Sequence, residues 1–176
     1  MRKMIGAIFV DGASISMALK EVGEVPVVPI RINYARLPAA IARALGEEVE
    51  FRYRCYYTAY RDERGKVRRA GFKKILVAAG WEVFEMKAKE YFDGHFEDKG
   101  VDLALALDAF WLARSSLVRF LVVATHDADF AELFRRLPAH VSKVALGWKA
   151  HMASELKECA RPVYLDDLKG EISYTP

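Results

Sequence analysis

The stretch FLVVATHDADFAELFRRL, residues 120–137, decides how this chain folds. An apolar, strand-like run leads without a break into Thr125, His126 and two aspartates separated by one alanine. From residue 130 to 137 the pattern becomes helical. Strand, acidic turn and helix in direct succession form one unit of an α/β fold.

Working outward, the same alternation recurs. Residues 4–10 read as a first strand ending at Asp11, and residues 15–21 as a helix with Ser14 as its N-cap. Pro26 and Pro29 interrupt regular structure, and residues 37–45 then form a short helix opened by Pro38 and ended by Gly46. A strand over 49–59 and a basic helix over 67–79, stopped by Gly80, lead to a strand at 81–86. Residues 87–99 have no clean period and read as a long loop, of a length that is often functional. The segment 100–114 is helical and apolar on nearly every side, which predicts that it is largely buried. Strand four begins at 118. After the opening stretch come a strand at 141–146, a helix at 149–159 and a short strand at 163–165. The expected fold class is α/β, a mainly parallel sheet of about five strands with helices on both faces, in one domain spanning 1–176.

Composition narrows the functional classes. With 176 residues, 53% of them hydrophobic, the chain has material for one soluble domain with a substantial core. A formal net charge of +3 is too small to mark a nucleic-acid binder, so that reading must rest on where the basic residues cluster. Cys55 and Cys159 have no second Cys or His at ligand spacing, which argues against zinc and a disulfide framework and for buried thiols. The apolar run at 4–10 is short, ends in Asp11 and lacks a small-residue cleavage site. The expected location is therefore the cytoplasm, with no membrane partner.

In an open parallel sheet, the residues just after the carboxyl ends of the strands share one crevice, where ligands bind. Asp11 follows strand one and Asp127 follows strand four, while Asp102 lies in the first turn of the apolar helix at the same edge. Two unit charges about 4 Å apart repel by roughly 4 kcal/mol at an effective dielectric near 20, so converging carboxylates call for protons or a cation. Carboxylate oxygens with water suit Mg²⁺ or Mn²⁺, which can activate water and stabilise the leaving oxygen in phosphodiester hydrolysis. Simpler roles exist for the same residues. Asp129 opens a D-x-x-E pattern with Glu132 and can cap the following helix, as can Asp127, and a first-turn aspartate such as Asp102 is favoured by the helix dipole in any case. Asp108 lies six positions after Asp102, about 240° around a helix, and is left out of the site.

Three motifs, FVDGAS at 9–14, KGVDLALALDAF at 99–110 and VVATHDADF at 122–130, together resemble the NYN-domain nucleases of the PIN-like superfamily, in the LabA-type branch. The resemblance runs from the first strand to the last helix. It implies a doubly wound α/β sheet and a metal-dependent ribonuclease, with Asp11, Asp102, Asp127 and Asp129 as the catalytic acids and the first three as ligands of Mg²⁺ or Mn²⁺. The chain departs from the family pattern at two positions: Ser14 stands where an Asn is usual, and His126 replaces the Gly that usually follows the position of Thr125. A serine hydroxyl still donates and accepts hydrogen bonds, with shorter reach. A histidine can supply proton transfer or a phosphate contact, but not the backbone freedom of glycine.

Arg61, Arg64, Lys66, Arg68, Arg69, Lys73 and Lys74 fall within fourteen residues and offer phosphate contacts. Tyr56, Tyr57 and Tyr60 stand just before them, placed to stack on unpaired bases. The expected substrate contacts are Ser14, Lys99, Thr125, His126, Arg64, Arg68 and Tyr57, and the expected partner is single-stranded RNA. Against this stands a second reading, an RNA-binding or protein-interaction module of the same fold that has lost turnover through Ser14 and His126. A nucleotide-dependent enzyme is disfavoured, because neither G-x-G-x-x-G nor G-x-x-x-x-G-K-[ST] occurs. Trp111 and Trp148 allow a homodimer without requiring one.

Overall fold

A computed structural model describes residues 3–21, 31–92, 96–97 and 100–174. The chain runs β1 (Met4–Asp11), α1 (Gly12–Glu21), β2 (Arg31–Ile32), α2 (Leu37–Leu45), β3 (Val49–Tyr60), α3 (Glu63–Ala78) and β4 (Glu82–Lys87). It continues through β5 (Lys89–Glu90), β6 (Phe96–Glu97), α4 (Val101–Arg114), β7 (Phe120–Ala124) and α5 (Phe130–Arg136). It ends with β8 (Ser142–Gly147), α6 (Ser154–Cys159), β9 (Arg161–Tyr164), α7 (Leu165–Ile172) and β10 (Ser173–Tyr174).

β1 is apolar without alternation because both of its faces are covered. Ala7 and Phe9 face one layer, Ile8 and Val10 the other, and all four are at most 2% exposed. It lies inside a six-stranded sheet of order β4-β3-β1-β7-β8-β9, in which every pairing is parallel. The chain builds outward from β1 through β3 to β4, then crosses back to β7 and builds the other way. The order therefore reverses between β1 and β7, which places the carboxyl ends of these two strands at the switch point.

Leu37, Ile41 and Leu45 of α2 and Leu165, Leu168 and Ile172 of α7 cover one face of the sheet. Val101, Leu105, Ala109 and Ala113 of α4, Phe130 and Phe134 of α5 and Leu156 of α6 cover the other. α2 stops as its sequence predicts: Gly46 takes φ +68°, a left-handed conformation that glycine adopts without strain, and its N–H returns to the last turn. Cys55 is buried, which pushes its thiol up to about 12, and both cysteines are free. Among the described residues no helix is long and apolar enough to cross a membrane.

The differences from the sequence reading have local causes. α1 begins at Gly12, so Ser14 is inside the helix and does not cap it. α3 begins at Glu63, because Asp62 accepts a hydrogen bond from the Gly65 N–H and starts the helix earlier than its apolar residues suggest. The region expected as one loop contains the antiparallel pair β5 and β6. The sheet has six strands, and α7 and the β2–β10 pair were not anticipated. α4 is buried along one face only: Leu103, Leu107 and Trp111 are 63%, 48% and 66% exposed.

Candidate active site

The end of β1 is held to the end of β7 by side chains. Asp11 is the last residue of β1 and only 5% exposed. Its Oδ1 accepts from the N–H groups of Ala13 (3.1 Å) and Ser14 (3.0 Å), so Asp11 itself caps α1. Its Oδ2 accepts from the Thr125 hydroxyl at 3.2 Å. Burial raises the Asp11 pKa, and the nearby charge of Asp127 adds to the rise, while the three hydrogen bonds oppose it. About one of four carboxylate lone-pair positions then remains for another ligand.

Thr125 is fully buried, and its oxygen also accepts from the Asp127 N–H at 3.2 Å. The expectation that it contacts substrate is therefore corrected, since it lies between the two acids and positions both. Asp127 is exposed, and its Oδ1 accepts from the Asp129 N–H at 2.9 Å, which closes the turn that starts α5. Asp129 makes no side-chain cap, and Glu132 pairs with Arg135 and Arg136, so the D-x-x-E pattern does not form a capping box.

His126 occupies a different position from the one its sequence context suggested. Its Nε2 accepts from the Trp148 N–H at 2.9 Å, so in the neutral ring the proton sits on Nδ1 and donates to Ser14 Oγ at 3.0 Å. The His126 N–H donates to the same oxygen at 2.9 Å. Burial pushes the His126 pKa down, with His151 as a further cause. Both ring nitrogens of His126 are thus engaged within the protein, in a bracket that joins α1, the β7 turn and the end of β8, while the Ser14 oxygen accepts twice and keeps its own proton to donate. Gly147 makes room for this bracket, because a Cβ there would lie 3.0 Å from the His126 ring.

Asp102 is exposed in the first turn of α4. It lines a groove of about 520 Å³ between α4 and α5, together with Asp129, Leu103, Phe110 and Phe130. Asp127 thus links the acids on either side of it, adding its charge to Asp11 and accepting from the Asp129 N–H, while Asp129 and Asp102 share the groove. Among the described residues no three His, Cys, Asp or Glu side chains stand close enough to hold one ion.

On the other side of Asp11 a second cleft is lined by Gly12, Ala13, Thr58, Arg61, Arg69 and Lys73. Arg69 donates to Thr58 Oγ1 and to the Ala59 carbonyl, and Lys73 pairs with the nearly buried Glu85. Arg61, Arg69 and Lys73 are the basic residues of this cleft, with Lys73 paired to a carboxylate there. The sequence placed Arg61 and Arg69 in the cluster but did not single them out; for Arg61 the position just past the carboxyl end of β3 was a usable signal, whereas Arg69 lies inside α3 and carried none. Arg64 is exposed on the first turn of α3, the Arg68 side chain lies outside the described ones, and Lys99 lies outside the described residues. Tyr57 is a correction. It is 1% exposed, its ring stacks on Phe84 at 4.7 Å, and its hydroxyl donates to Asp108 at 2.7 Å, so it offers no face to a base. Tyr56 is also buried, whereas Tyr60 is partly open with Lys66 over its ring.

A family model described as the NYN domain matches residues 6–166. The chain belongs to the NYN family. NYN domains are part of the PIN-like nuclease superfamily and are generally nucleases, and enzymes of that superfamily typically use divalent metals. The fold is similar to that in a crystal structure of a protein of unknown function from Vibrio parahaemolyticus, with a TM-score of 0.73 at 20% identity over 99% of this chain and 100% of that one. A comparison with curated proteins finds no match.

Proposed function

We propose that this NYN domain is a Mg²⁺- or Mn²⁺-dependent ribonuclease that hydrolyses phosphodiester bonds of single-stranded RNA at the switch point between β1 and β7. The observation that carries the reading is Asp11: a buried carboxylate with a raised proton affinity, beside a second carboxylate, at the position where an open α/β sheet binds ligands. A cation relieves that electrostatic load as well as a proton does, and hard carboxylate oxygens suit Mg²⁺ and Mn²⁺. Asp11 and Asp127 would hold the ion, with Asp102 and Asp129 acting from the adjoining wall directly or through water. The bound ion supplies water activation and charge neutralisation at the phosphate.

The remaining roles belong to the protein. Thr125 keeps Asp11 oriented and fixes the Asp127 backbone. The Ser14–His126–Trp148 bracket holds the turn that carries both aspartates. Arg61 and Arg69 line the cleft next to Asp11 and are placed to receive phosphates of the chain, with Tyr60 as the accessible aromatic.

Incubation of the purified protein with Mn²⁺ and labelled single-stranded RNA tests the proposal. Cleavage that falls roughly a hundredfold or more, about 2.7 kcal/mol, in Asp11→Asn and Asp127→Asn supports it, and cleavage unchanged in both removes the assignment. One alternative is a domain that binds RNA without cutting it, since among the described residues no three His, Cys, Asp or Glu side chains stand together as an ion site. That reading predicts retained RNA binding with no product at any metal concentration.

A further inference from the structure

The apolar pattern of α4 exceeds what the monomer buries. Val101, Leu105, Ala109 and Ala113 satisfy the core, yet Leu103, Leu107 and Trp111 form a second stripe at intervals of four on the outer face, where they are 63%, 48% and 66% exposed. Beside this ridge runs the groove between α4 and α5, lined by Ala106, Phe110, Phe130 and Leu133. Ridge and groove make an apolar patch on the order of several hundred Å², the size at which an exposed patch on a soluble protein marks an interaction site.

We propose that this face is covered by a second copy of the chain, with the two α4 helices packed antiparallel about a two-fold axis near Leu107. A two-fold interface uses the same patch on both partners, so the patch must carry both the projection and its recess, as this one does. The stripe is itself symmetric about Leu107: in the antiparallel arrangement Leu107 meets Leu107, and Trp111 of each copy meets Leu103 of the other. Charge agrees with this orientation. α4 ends just before β7 and α5 starts just after it, so both helices run from the same sheet edge, with Asp102 and Asp129 near their starts and Arg114 at the far end of α4, while Glu132 is already paired with Arg135 and Arg136. Antiparallel pairing sets the acidic end of each copy against Arg114 of the other and opposes the helix dipoles favourably. A parallel arrangement would set like charges together. Asp102 and Asp129, which the proposed function sets beside the ion, line the same groove, so the interface adjoins that site while its apolar ridge of Leu103, Leu107 and Trp111 includes none of the acids.

Sedimentation velocity over a wide range of concentration tests it. The parent chain sediments as a dimer, and Leu107→Glu or Trp111→Glu weakens the dimer roughly thirtyfold or more, the scale of an interface hot spot, with an unchanged circular-dichroism spectrum. Val67→Glu, on the exposed face of α3, leaves the dimer intact. Leu107→Cys in a Cys159→Ser background then cross-links to itself with a short bismaleimide, a readout that introduces no charge. A parent chain that is monomeric at every concentration overturns the proposal, as does a dimer that survives both Glu variants. A dimer in which the Leu107→Cys side chains cannot be cross-linked overturns the antiparallel geometry.

Discussion

Thr125 carries more of the site than its size suggests, because one hydroxyl donates to Asp11 and accepts from the Asp127 backbone. Thr125→Val keeps the shape and removes both bonds, leaving a buried carboxylate and a backbone N–H short of partners. The expected cost is about 1–3 kcal/mol of stability, read from urea denaturation. Asp11 gives a pH signature. Its folded pKa is raised above 3.8, so the folded state holds the proton more tightly, and the stability from that proton is present at low pH and lost as pH rises through the folded value. Asp11→Asn should therefore be more stable than the parent at neutral pH in metal-free buffer, with the advantage shrinking as pH falls toward 3.8. Denaturation curves at several pH values check this, and an advantage that does not vary with pH would contradict the assigned shift. Of the residues around these two, the acids were legible in the sequence because strand ends are legible. The partnership of Ser14 and His126 was not, since it joins positions 112 residues apart.

At the scale of elements, the start of α5 separates a capping role from a site role. Asp127, not Asp129, accepts the turn-closing hydrogen bond. Asp127→Ala is expected to cost about 1 kcal/mol of stability and Asp129→Ala less than about 0.5 kcal/mol, by chemical denaturation, while both lower cleavage. An equal loss of stability in the two variants would restore the capping reading of Asp129. The same comparison shows what sequence periodicity can resolve. α2 was legible to the residue, since Pro38 and Gly46 bound it chemically. α7 was not, because it is short and carries Gly170 inside, although Leu165, Leu168 and Ile172 mark its buried face. α4 was recognised as a helix, but its all-round apolarity cannot tell a face buried in the fold from one that remains open in the monomer. Tyr57 was misread for a related reason: alternation along β3 does not say which tyrosine meets the core and which meets solvent.

For the whole molecule, the fold positions carboxylates and cations on one edge without a large net charge, and binding should depend on that placement. Arg61→Ala is expected to weaken RNA binding across sequences and to lower the slope of log K against log salt by about 1, measured by fluorescence anisotropy. An unchanged slope would remove Arg61 from the phosphate path. The doubly wound topology was readable from the order of strands and helices together with the three motifs. The placement of Asp102 and Asp129 on one groove was not, because it depends on how α4 and α5 sit against each other, and short-range patterns carry no such information. The most direct test is calorimetric titration of the parent chain and of Asp11→Asn and Asp127→Asn with Mn²⁺. The account predicts saturable binding by the parent that is lost in both variants, and binding that is absent from the parent or equal in all three would contradict it.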